Sequence, residues 1–161
     1  MTPEQVYVAL APRVVGYLRA RGAPDPEDLA GEVFLQVARD LPRFRAADDE
    51  LAVRRWVFTI ARNRAIDAAR RARRRPRSSD VEVPDRPAPP AAEPFDPALV
   101  SALGELTDDQ REVVALRFVA DLPLEVVARM TRRSVGATKA LQHRALENLR
   151  RSVSTEPPAA L

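Results

Sequence analysis

The chain has no cysteine among its 161 residues, so it carries neither a disulfide framework nor a thiolate metal site. Long apolar runs are missing too, and neither a signal peptide nor a membrane-spanning helix is expected. That pattern reads as cytoplasmic. Five scattered glycines leave no glycine-rich loop to cradle phosphates. The one histidine, His143, sits among basic residues, and nothing near it in sequence supplies a nucleophile, a paired carboxylate or a ligand set. The chain is therefore expected not to be an enzyme and to need neither metal nor cofactor. The acidic pairs Asp48–Asp49 and Asp108–Asp109 stand at helix starts, where carboxylates complement the macrodipole.

What is present is arginine. The formal net charge is only +3, yet residues 1–77 hold sixteen arginines against ten carboxylates, and residues 78–98 hold five carboxylates against Arg86 alone. Further on, Arg129, Arg132, Arg133, Lys139, Arg144, Arg150 and Arg151 oppose only Glu147. Two basic bodies flank an acidic tether. Because guanidinium binds phosphate through a planar fork and does not deprotonate, this distribution points toward nucleic acid.

The tether is SSDVEVPDRPAPPAAEPFDP, Ser78–Pro97. Its prolines fix φ and remove donors, its acids repel one another, and it offers few large apolar groups, so a flexible linker is expected over 78–97. This divides the chain into a domain over 1–77, a second over 98–153, and a disordered tail over 154–161. No segment shows sustained period-two alternation, and both bodies read as all-α.

In the first body, Thr2 and Pro3 open a helix bearing Val6, Leu10, Val14, Tyr17 and Leu18, with Gly22 ending it. Asp25 is expected to cap a second helix carrying Leu29, Val33, Phe34 and Val37. Asp48 or Asp49 caps a third that runs to about Arg75. In the second body, Asp96 and Thr107 start two helices, a short helix spans Leu124 to Met130, and Ser134 caps the last. Leu124–Met130, a tight connection and the helix opened by Ser134 have the length and order of a helix-turn-helix, with Val127, Thr138, Leu141, Ala145 and Leu149 facing the body.

The third helix of the first body is the least ordinary. RRWVFTIARNRAIDAARRARRRP sets bulky apolar residues among arginines. Trp56 and Phe58 are either core, or part of a surface that opens duplex DNA. Extruding a base costs a few kcal/mol, and stacking on a side chain returns about 1–3 kcal/mol. From these features a stand-alone helix-turn-helix regulator and a helical protein-binding adaptor also remain open.

The stretches DPEDLAGEVFLQVARDLPRF, WVFTIARNRAIDAARR, LTDDQREVVALRFVADLPLEVVAR and SVGATKALQHRALENLR together resemble a bacterial RNA polymerase sigma factor of the extracytoplasmic-function (ECF) group, sigma-70 family. The resemblance implies a first domain that binds core RNA polymerase and opens the minus-ten element, and a second that reads the minus-thirty-five element of promoter DNA. It also implies an anti-sigma protein as a partner. By position, Asp28, Glu32, Phe34 and Leu35 correspond to the polymerase-docking helix. Phe44, Trp56, Arg62, Asn63, Asp67 and Arg70 correspond to the minus-ten surface, with the loop from Phe44 to Asp49 capturing an extruded base. Arg132, Arg133, Ser134, Ala137, Lys139 and Arg144 correspond to the minus-thirty-five surface. Four positions depart from the family pattern: Pro123 for a capping serine, Arg132 for a turn glycine, Arg133 for an apolar residue, and Thr138 for valine. Either Arg132 then adopts positive φ or the turn differs from the usual one, and the Thr138 hydroxyl is expected to bond back to the carbonyl of Ser134.

Overall fold

The computed structural model describes residues 1–74 and 96–155. The linker expected over 78–97 and the tail over 154–161 lie, apart from their edges, outside the described residues. Three helices form the first body: α1 (Pro3–Ala20), α2 (Pro26–Asp40) and α3 (Glu50–Arg74). Four form the second: α4 (Pro97–Glu105), α5 (Asp108–Val114), α6 (Leu124–Met130) and α7 (Val135–Thr155). Among the described residues there is no strand, so the fold is all-α as expected.

Local chemistry sets most of the helix ends. Thr2 and Gln5 form a reciprocal capping box at the start of α1, and Thr107 and Gln110 repeat it at α5. Asp49 accepts from Leu51 N and Ala52 N, which decides between the two aspartates for α3. Asp96 caps α4 through Ala98 N. Asp25 differs from expectation: α2 begins after it, but its side chain makes no capping bond. Pro26 has no N–H to satisfy there, and Glu27 and Asp28 supply negative charge to the first turn. At the other end of α1, Gly22 takes φ 76° while Gly22 N and Ala23 N bond back to Arg19 O and Leu18 O. This is a Schellman turn at a position where glycine costs least.

In the first body Val6, Val14 and Leu18 of α1 meet Val33 and Val37 of α2 and Val53, Val57 and Phe58 of α3, all almost entirely buried. Burying each such side chain contributes about 1.5–3 kcal/mol, which is what holds an otherwise cationic α3 in place. Tyr17 meets the Phe58 ring edge-on, centroids 5.6 Å apart. Buried residues stop at Ala65, so the last turns of α3 project from the body with Arg70, Arg71, Arg73 and Arg74 exposed.

In the second body α7 packs across α4, α5 and α6. Arg111 ties the first two helices together, donating to Leu103 O, Gly104 O and Leu106 O. These are the orphan carbonyls at the end of α4, and a guanidinium suits them. The helix expected to start at Thr107 is regular only to Val114. Ala115–Val119 then widens into a π turn closed by Ala120 N on Ala115 O, and Asp121 follows at φ 56°.

The two bodies touch. Side chains from both join one apolar cluster, and α1 lies against the π turn.

Tyr17 yields a prediction. Its hydroxyl is buried with no hydrogen-bond partner among the described residues, and burial pushes the phenol well above its ordinary range. A raised folded-state pKa gives stability that is complete below about pH 10, the unfolded value, and is lost as pH rises beyond it. Tyr17→Phe should leave neutral-pH stability unchanged or raise it by up to about 1 kcal/mol, and should unfold later than the parent chain above pH 10. Circular dichroism melts across that range would test both parts, and earlier alkaline unfolding of the variant would contradict them.

Candidate nucleic-acid interface

The exposed side of α3 carries the residues expected to meet the minus-ten element. Asn63, Asp67 and Arg70 are exposed, and Arg62 and Trp56 are half-buried. Phe58, for which both a core and a surface role were open, is core. Trp56 instead stands at the solvent edge, where Phe44 stacks on it with centroids 4.6 Å apart and planes 11° from parallel. Phe44 reaches that position because a short 3-10 turn, Leu41–Arg43, ends α2 and bonds Phe44 N to Leu41 O. The loop between is held by Asp49 N on Ala46 O and by the Met1 amine on Ala47 O. An aromatic pair beside an amide and arginines is thus assembled from α3 and the loop that leads into it.

Arg62 is the exception within this group. Its Nε donates to Glu112 of α5, so the second body holds it. No local pattern announces this pairing, because α3 and α5 are joined only by tertiary contact.

On α2, Leu35 is exposed (73%), and its neighbour Phe34 is buried with its ring edge against Tyr7. Tyr7 and Val8 of α1 are exposed as well, which broadens the apolar face beyond the residues identified from sequence. Glu32 lies 3.5 Å from Arg64 of α3, and Gln36 accepts from the same guanidinium, so α2 is braced against α3. Asp28 lies in the first turn of α2 and is half-buried.

The helix-turn-helix is formed by α6, the turn Thr131–Ser134 and α7. Arg132 adopts φ 55°, while Arg132 N bonds to Arg129 O and Arg133 N to Ala128 O. The turn therefore closes as a Schellman motif with arginine where glycine would be unstrained, at a cost of about 1–2 kcal/mol. Arg132 is exposed; Arg133 is partly buried and pairs with Asp109 at 2.8 Å, binding the turn to the start of α5. Ser134 caps α7 through Ala137 N. Thr138 is fully buried, and its hydroxyl donates to Ser134 O at 2.8 Å, as expected. Pro123 makes no side-chain cap; its carbonyl accepts from Val126 N and Val127 N instead. Val135, Gly136, Ala137, Lys139 and Arg144 are exposed on the early turns of α7. His143 is exposed one turn from Glu147, its Nε2 3.1 Å away.

Among the described residues no group of three or more His, Cys, Asp or Glu side chains could hold a metal, and no helix is long and apolar enough to cross a membrane. The chemistry on offer is recognition by stacking, hydrogen bonding and charge.

Comparison with known proteins defines the class. The Sigma-70 region 2 pattern matches residues 6–75 and the Sigma-70, region 4 pattern matches residues 102–151. The chain is 37% identical to the ECF RNA polymerase sigma factor ShbA of Streptomyces griseus over 135 residues, which are 77% of this chain and 69% of that one. It is 33% identical to the RNA polymerase sigma factor CarQ of Myxococcus xanthus over 153 residues, 91% of this chain and 86% of that one. The chain belongs to the ECF RNA polymerase sigma factors of the sigma-70 family. It acts in transcription initiation. The fold also resembles the sigma factor RpoE, solved in complex with the anti-sigma factor NepR from Bartonella quintana, with TM-score 0.73 and 21% identity over 96% of this chain and 98% of that one.

The turn yields the second prediction. Arg132→Gly should raise thermal stability by about 1 kcal/mol, because glycine relieves the left-handed strain. The same change should weaken binding to upstream promoter DNA and lower the slope of log K against log salt by about 1 if Arg132 neutralises one phosphate. A melt and a salt titration of holoenzyme binding would measure both, and a variant both less stable and equally tight would contradict this account.

Proposed function

We propose that the first body docks on core RNA polymerase through α2 and melts the minus-ten element along α3, while α7 reads the minus-thirty-five element. The observation that carries this reading is the Phe44–Trp56 stack at the solvent edge of α3, beside exposed Asn63, Asp67 and Arg70. A base leaving the duplex needs a flat apolar surface, a polar group for its edge and cations for its phosphates. α3 offers all three. Asn63 and Asp67 supply hydrogen-bonding groups, Arg70 and Arg62 grip backbone, and Phe44 with Trp56 receives the base.

In the second body, Arg132, Lys139 and Arg144 approach phosphates, Ser134 fixes the start of α7, and Ala137 presents a small surface to the groove. Arg133 acts through its bond to Asp109, orienting the turn while keeping part of its charge near DNA. For docking, Leu35 supplies the exposed apolar contact, Asp28 and Glu32 the charge, and the buried Phe34 supports the helix from beneath through Tyr7.

The chain supplies no catalytic group of its own; polymerase carries out the chemistry. The domains span 1–77 and 98–153, joined by a linker over 78–97. We place the protein in the cytoplasm, where its polymerase and promoters are, and assign it an anti-sigma partner on the likeness to a fold solved with one bound.

The decisive experiment adds the protein to purified core polymerase with a promoter library and maps unpaired thymines by permanganate. Initiation and a reactive patch upstream of the start are expected. Leu35→Asp should abolish initiation with helicity unchanged by circular dichroism, because an exposed side chain can be exchanged without disturbing the core. Full activity of that variant would remove α2 as the docking face. DNA binding without polymerase at equal affinity would favour a stand-alone regulator.

A further inference from the structure

Most arginines of the first body that lie outside α3 are already held by carboxylates: Arg13 by Asp121, Arg19 by Glu27, Arg21 by Glu112 and Arg39 by Asp40. Arg43 and Arg45, which flank Phe44, are left over. Both are exposed, and neither makes an ion pair or hydrogen bond among the described residues. Carboxylates stand close by in the chain, yet Asp48 faces the Met1 amine and Asp49 caps α3.

The backbone sets where these two cations lie relative to the aromatic stack. Leu41–Arg43 is a 3-10 turn, and Phe44, which leaves it, is extended (φ −80°, ψ 114°). Successive side chains of an extended chain alternate sides, so while the Phe44 ring lies on Trp56 its two neighbours are directed to solvent. Residues two apart in such a chain are separated by about 7 Å. From there two long, flexible stems reach the phosphates on both sides of a single nucleotide.

Stacking alone holds a base and leaves its phosphates uncompensated; unpaired DNA is bound where aromatic faces and cations coincide. Arg70 cannot serve the same nucleotide, because a helix advances about 1.5 Å per residue and Arg70 stands about 21 Å beyond Trp56 along α3. We propose that Arg43 and Arg45 clamp the unpaired strand, each neutralising one of the two phosphates that flank the base received by Phe44 and Trp56. This rests on the reading of that stack as the base-receiving surface.

Holoenzyme made with the full chain tests the clamp on a single-stranded minus-ten oligonucleotide, taken from whichever strand of an opened promoter it binds more tightly. Arg43→Gln with Arg45→Gln should lower the slope of log K against log salt by about 1.4, two single-strand phosphates at about 0.7 each. If variant and parent agree at about 1 M salt, the variant then binds roughly 25-fold more weakly at about 0.1 M. Arg43→Lys with Arg45→Lys keeps the charge and should keep the slope. Replacing phosphates one at a time by neutral methylphosphonate should weaken the parent at two adjacent positions, and the glutamine variant should be indifferent at those same two. Helicity and affinity for core polymerase should be unchanged, since both side chains are exposed.

A glutamine variant with the parent's slope would overturn the clamp. So would one that stays sensitive to the same two methylphosphonates, or one whose loss lies in affinity for core polymerase. If the parent holoenzyme itself bound no unpaired strand, the reading of the stack would fail, and the clamp with it.

Discussion

What this chain presents to its partners depends on gripping one arginine-rich helix by a narrow apolar stripe. α3 is cationic along much of its length, and only Val53, Val57, Phe58, Ile60, Ala61 and Ala65 are buried. The edge-on contact between Phe58 and Tyr17 fixes α3 against α1, and α1 in turn carries α2. Once the stripe is anchored, the opposite face is free to hold groups that would be intolerable in a core. The same contact sets the height at which Trp56 emerges and lets the last turns of α3 stand clear of the body, where basic side chains at a helix C-terminus are favoured by the dipole.

Helix existence and order were legible in the sequence because the governing signals are local. Thr2, Asp49, Asp96, Thr107 and Ser134 each cap the helix that follows, and Leu124–Met130 is the short helix read from the chain. Asp25 shows the limit of that logic, since residue type and position favour a cap while the backbone (φ −136°, ψ 72°) makes no side-chain bond. Arg132 and Thr138 were legible in part: positive φ at Arg132 was one of two outcomes open to the turn, and a buried Thr138 hydroxyl called for a local acceptor.

The site was less legible wherever partners come from separate elements. Nothing local announces that Phe44 lies on Trp56, that Arg133 is drawn to Asp109, or that Arg62 reaches Glu112. Charge pattern identifies which segments are cationic, but not which cations are already engaged. A buried carboxylate such as Glu112 looks in sequence like any surface glutamate on an amphipathic helix. Its neighbours in space, not its spacing, give it a role.

The widened turn at Ala115–Val119 has a consequence for how the second body tolerates change. One extra residue in a helical turn rotates everything downstream by about 100° relative to regular winding. Here that twist leaves Phe118 outside and Leu116 inside, and Asp121, in left-handed geometry, then redirects the chain into α6. A residue gained or lost there would bear on the buried Ala115 and Leu116 and on α1 beside them, while the mutual setting of α6 and α7 is fixed separately by Thr131, Arg132 and Ser134.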